Sequence, residues 1–69
     1  MPLTLAKTGE INMIKKLGGK EDVKRFLESL GFVVGSAVSV ICENGGNVIV
    51  NIKNSRVAIS REMANKIIV

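Results

Sequence analysis

The chain has no histidine, no tryptophan and no tyrosine, and its one cysteine is Cys42. Without an imidazole, a Ser–His–Asp arrangement, a Cys–His pair and a histidine-based metal cluster are all excluded within one chain. Ser29, Ser36, Ser39, Ser55 and Ser60 therefore have no such base to activate them. A lone cysteine forms no internal disulfide, which fits a reducing compartment. It also supplies at most one soft metal ligand, so Cys42 reads as a small, half-buried strand residue. Phe26 and Phe32 are the only aromatic residues. Both are expected in the core, which leaves no platform for stacked bases. No apolar run exceeds three residues, against the roughly 20 that cross a bilayer. Nothing at the N-terminus has the pattern of a secretory signal. The expected location is the cytoplasm, without direct membrane insertion.

Acidic residues are also few. The carboxylates are Glu10, Glu21, Asp22, Glu28, Glu43 and Glu62, and none has the spacing of an EF-hand or another calcium loop. With neither a catalytic set nor a metal set, the chain reads as a non-enzyme with no cofactor. The net charge is +4, but the basic residues are dispersed, and the longest basic runs are the pairs Lys15–Lys16 and Lys24–Arg25. Charge spread in this way describes a solvated surface better than a nucleic-acid footprint.

What the chain does have is one clear helical period. Val23, Phe26, Leu27 and Leu30 stand at i, i+3, i+4 and i+7 and form one apolar stripe. Glu21 and Asp22 fall in the first turn, where they oppose the helix dipole, and Glu21 has Arg25 four residues on as a surface partner. Gly31 follows the last apolar position. That order predicts a left-handed C′ residue, with Phe32 as C″ folding back against Leu27 in a Schellman closure. Gly18 and Gly19 offer no side-chain cap, so the start of the helix is expected to fray.

Around the helix the pattern is β. Leu3 and Leu5 alternate as in an edge strand, and Lys7–Thr8–Gly9–Glu10 reads as a turn. Ile11 to Leu17 reads as one strongly curved strand, because Ile14 and Leu17 cannot join the face of Ile11 and Met13 without a bend or bulge. From Ser36 to Glu43, Val38, Val40 and Cys42 face one way and Ala37, Ser39 and Ile41 the other. Asn44–Gly45–Gly46 signals a hairpin. It is not a phosphate loop, since neither a following helix nor a Lys-Ser/Thr pair accompanies the glycines. Asn47 to Ile52 returns with Val48, Val50 and Ile52 on one face. Lys53–Asn54–Ser55 turns again, and Arg56 to Ile59 follows with Val57 and Ile59 inward. Ser60 caps one helical turn through Arg61–Ala64, and Ile67–Ile68–Val69 closes the chain as a last strand. No linker or repeat divides residues 1–69, which fits one small, highly curved barrel.

The string Leu27-x-x-Leu30-Gly31-Phe32-x-x-Gly35 leads into a Val-rich strand and a glycine hairpin. Asn54–Ser55–Arg56–Val57–Ala58–Ile59 and Arg61-Glu62-x-Ala64-x-x-Ile67-x-Val69 follow. In this order and spacing the chain resembles the FeoA family of bacterial ferrous-iron uptake from Leu5 to Val69. Val34 stands where many relatives have proline. The resemblance implies a mainly β fold, an SH3-like barrel of about five strands. A helix is inserted after the first strand and a short helical turn comes before the last. It implies a non-enzymatic accessory role exercised by binding the cytoplasmic part of the FeoB membrane GTPase transporter. Similar domains are also appended to metal-dependent repressors.

On the residues alone, the helix offers the candidate docking face. Lys15, Lys16, Lys20, Lys24 and Arg25 lie in or just before it, and a mixed apolar and basic surface suits a protein partner. The residues assigned to partner binding are Lys20, Lys24, Arg25 and Leu27. Most of the stripe is nonetheless expected to seal one end of the barrel, because a domain this small needs its apolar residues inside. Docking requires that part of it stay exposed, and the alternative is a merely solvated charged face. The alternatives in function are a nucleic-acid-binding small barrel and a repressor-type regulatory domain. Weak self-association is compatible with either role.

Overall fold

Six strands and two helices carry the chain in the computed structural model, which describes residues 1–69. The strands are β1 (Ile11–Met13), β2 (Lys16–Leu17), β3 (Ala37–Asn44), β4 (Asn47–Ile52), β5 (Ser55–Ser60) and β6 (Ile67–Ile68). The helices are α1 (Glu21–Ser29) and α2 (Arg61–Ala64). Four strands form an antiparallel sheet in the order β1-β3-β4-β5, and β2 and β6 pair as a second, two-stranded sheet. Between them lies one apolar cluster of 14 buried residues, with no buried polar or charged side chain.

The expected curved strand from Ile11 to Leu17 is two strands in two sheets. The reason is the spacing already visible in the sequence. Ile14 and Leu17, three apart, are both buried, whereas Ile11 and Met13 face solvent. A single pleated strand cannot turn positions three apart to one face. The chain therefore changes partners at the corner. The Ile14 N–H donates to the Ser36 carbonyl (2.9 Å), and the next N–H, of Lys15, donates to Ile68 (2.8 Å).

Leu3 and Leu5 do not form an edge strand either. They sit in a 3-10 turn, closed by Leu5 N–H to Pro2 carbonyl and Ala6 N–H to Leu3 carbonyl, each 3.0 Å. Leu3 is thereby driven into the core and Leu5 outward. The Met1 ammonium and the Val69 N–H exchange hydrogen bonds with each other's carbonyls at 2.7 Å, which ties the first residue to the last.

The helix ends as its sequence dictates. Gly31 has φ +104°. The Phe32 N–H donates to the Leu27 carbonyl and the Gly31 N–H to Glu28, both at 3.0 Å, the two bonds of a Schellman motif. Phe32 and Leu27 are both wholly buried in the core cluster. At the other end Lys20 occupies the cap position with no side-chain hydrogen bond. Both hairpins fall where the turn residues place them, with Gly45 at φ +63° in the first and Lys53 and Asn54 at φ +50° and +63° in the second. Ser60 caps α2 by accepting from the Met63 N–H at 3.1 Å.

Cys42 is exposed, not half-buried. Val40 pairs with Val50 but Cys42 pairs with Ile49, so Ile41 is an extra residue in the β3 ladder. One inserted residue reverses the alternation beyond it. Cys42 consequently shares the outer face of the sheet with Ile49, although Val38 and Val40 before the bulge point inward.

Candidate docking surfaces

The apolar stripe of α1 is divided by depth. Leu27 is fully buried, Val23 and Leu30 are half-buried against the core, and Phe26 is 49% exposed. Of the residues assigned to partner contact, Lys20 and Arg25 are exposed and Lys24 is half-buried. Leu27 is a core residue with no surface to offer. Its apolar place on the helix surface is taken by Phe26, which the periodicity had put inside. Phe26 and Leu27 are neighbours on the stripe, about 100° apart around the axis, so a helix resting on the barrel by one edge buries the one and bares the other.

The electrostatics of this face are mixed. Lys20, Lys24 and Arg25 are set among Glu21, Asp22 and Glu28, so the segment from Lys20 to Ser29 carries no net charge. Glu21 and Arg25 do not form the expected pair; the one ion pair in the structure joins Arg61 to Glu43. That pair links the end of β3 to α2 and, being exposed, contributes about 1 kcal/mol or less. The Asp22 carboxylate instead accepts from the Val23 N–H at 2.9 Å, at the positive end of the helix.

A second surface lies on the outer face of the four-stranded sheet. In-register pairing sets Ile11, Ser39, Asn51 and Arg56 in one row across β1, β3, β4 and β5. The neighbouring rows bring Met13 beside Ala37, and Cys42 beside Ile49 and Ala58. A groove of about 320 Å³ crosses this face, with Ile11 on one side, Lys53 and Asn54 on the other, and Ala37, Ser39 and Asn51 between. Ile11 is 74% exposed and Met13 63%. Val34 is also exposed, and the bond from the Gly35 N–H to the Ile14 carbonyl (2.8 Å) holds its loop beside the end of β1. The expectation built on α1 overlooked this surface. The available signal was the opposition of Ile11 and Met13 to Ile14 and Leu17: once the latter are inside, the former are outside.

No three of the chain's Cys, Asp and Glu side chains come together in a way that could hold a metal ion. No helix is long and apolar enough to cross a membrane.

Residues 1–69 match the family model described as the FeoA domain. Over 68 residues the chain is 40% identical to Fe(2+) transport protein A of Methanocaldococcus jannaschii, covering 99% of this chain and 83% of that one. The FeoA protein of Chlorobium tepidum superposes with a TM-score of 0.88 at 26% identity, over 99% of this chain and 67% of that one. A manganese-dependent transcriptional repressor gives a TM-score of 0.87 at 18% identity, over 97% of this chain but 39% of its own length, a likeness of fold alone.

Proposed function

Because the chain belongs to the FeoA family, whose solved members are SH3-like domains, we propose that it is a non-enzymatic accessory protein of ferrous-iron uptake. It works at the cytoplasmic face by docking on the cytoplasmic part of a FeoB-type GTPase transporter. The observation that carries this reading is the match of residues 1–69 to the FeoA domain, together with 40% identity to a relative named for Fe(2+) transport. The exposed apolar side chains are in keeping with it. Phe26, Ile11 and Met13 lie on the surface of a domain small enough to need most of its apolar residues inside. The α1 contribution consists of Lys20, Arg25 and Phe26, with Lys24 at its margin. Leu27 acts only by holding the helix on the barrel.

The nucleic-acid reading is weaker on both of its requirements. Phe26 is the one aromatic residue at the surface, and the basic residues of α1 are offset by its carboxylates. The repressor reading rests on a likeness of fold that covers 39% of the repressor.

The test is a titration of the folded chain against the purified cytoplasmic region of the transporter, with random-sequence duplex DNA as the counter-arm. The variant Lys20→Glu/Lys24→Glu/Arg25→Glu changes the half-buried Lys24 and two exposed positions, the latter usually altering stability by about 0.5 kcal/mol or less each, and its fold is checked by its amide spectrum. It is expected to associate more slowly with the transporter, most visibly at low salt. If wild type does not bind the transporter region but binds DNA with a steep salt dependence that the variant loses, the docking reading fails in favour of nucleic acid.

A further inference from the structure

We propose that the groove on the outer face of the β1-β3-β4-β5 sheet is a docking site for a short, extended, acidic segment of a protein partner. The floor of the groove is made of small side chains, Ala37 and Ser39, which let a backbone approach closely. On one side Ile11 and its neighbour Met13 offer apolar contact; on the other stand Lys53 and Asn54. Arg56 is paired directly with Asn51 of the floor.

The charges of this face are of one sign. Its ionised groups are Lys53 and Arg56, and its strand rows contain no carboxylate. Of the six carboxylates, Glu21, Asp22 and Glu28 are on α1, Glu62 is on α2, and Glu43 is held by Arg61. Glu10 is the nearest along the chain, one residue before β1. A face that pairs apolar contact with unopposed cations complements a segment carrying an apolar side chain and a carboxylate. A second copy of this chain is disfavoured as the occupant, since it would bring Lys53 and Arg56 against their equivalents. Neighbouring strands lie about 4.8 Å apart, so a floor spanning β3 and β4 is roughly 10 Å wide. That width suits an extended segment and is narrow for a helix of about 10–12 Å diameter. The inference takes the identity of the partner from the transporter-docking reading, and the chemistry of the segment from the groove alone.

The test uses the full chain, labelled with nitrogen-15, and two blocked octapeptides of alternating valine with glutamate or with lysine. The glutamate peptide is expected to shift the amides of Ile11, Ala37, Ser39, Asn51 and Asn54 saturably, and the lysine peptide to leave them in place. Arg56→Glu should weaken the glutamate peptide about tenfold, and Ala37→Phe should block it by filling the exposed floor. Glu62→Gln, on α2 and outside both surfaces, should leave it unchanged. No saturable shift, equal response to both peptides, or shifts centred on α1 would each overturn the proposal. A parallel arm titrates wild type and Ala37→Phe against the transporter's cytoplasmic region. If wild type does not bind that region while the glutamate peptide fills the groove, the transporter reading fails and the groove assignment stands. If wild type binds the region, Ala37→Phe binds it equally well and the peptide does not bind, the groove assignment alone fails.

Discussion

Replacing Gly31 by alanine isolates the joint between helix and barrel. Gly31 holds φ +104°, and a Cβ built there would lie 3.7 Å from the Ile52 Cγ1 and Lys53 Cδ atoms, ordinary contact distance. The substitution therefore creates no clash, and its cost is that of forcing an L-residue into a left-handed backbone. That strain is on the order of 1–3 kcal/mol. Against it stands a gain of about 0.4–1 kcal/mol from the reduced freedom of the unfolded chain. The expected net loss is about 1–2 kcal/mol. For a domain of this size that corresponds to a melting point roughly 5–15 °C lower. Gly18→Ala is the control. Gly18 does not have positive φ, and its added Cβ would meet the Lys66 carbonyl oxygen at 3.5 Å, so its stability should be unchanged or slightly raised. Thermal and denaturant melts of both variants decide the matter. A Gly31→Ala chain with a wild-type fold and an equal or higher melting point would refute the argument from backbone strain.

Other perturbations test single contacts. Ser60→Ala removes the acceptor of the Met63 N–H and should destabilise by about 1 kcal/mol in chemical denaturation, whereas Ser60→Asp should retain most of the cap. Phe32→Ala empties a wholly buried site and should cost about 3–5 kcal/mol, enough to unfold much of the population. Phe26→Ser, at a half-exposed position, should cost far less in the same assay. Cys42 is exposed, so it should react stoichiometrically with a thiol reagent in the native protein, and protection until unfolding would contradict the bulge at Ile41.

The features legible from the sequence are those set by neighbours in the chain. Gly31 after Leu30, Ser60 before Arg61, and the turn residues at Asn44–Gly46 and Lys53–Asn54 each impose a local conformation that holds in the structure. The features that were not legible depend on partners far away. The hand-over from β3 to β6 between Ile14 and Lys15 needs Ile68 in place. Leu3 is a core residue because the two ends of the chain meet, which no alternation of Leu3 with Leu5 records. The bulge at Ile41 leaves the pattern Val38, Val40, Cys42 looking continuous while turning Cys42 outward. The places of Leu27 and Phe26 on the candidate surface were exchanged for the same reason. Helical period marks the stripe, but where the barrel meets it decides that Leu27 is covered and Phe26 is not.

The central claim, that the chain acts by docking and not by presenting a metal ligand, is tested most directly by ferrous-iron uptake in cells lacking this protein and resupplied with variants. Cys42→Ser removes the one thiol and leaves both candidate surfaces otherwise intact. It is expected to restore uptake as fully as wild type, while a folded variant that no longer binds the transporter's cytoplasmic region restores none. Failure of Cys42→Ser to rescue, in a chain that is folded and still bound to the transporter, would contradict the account.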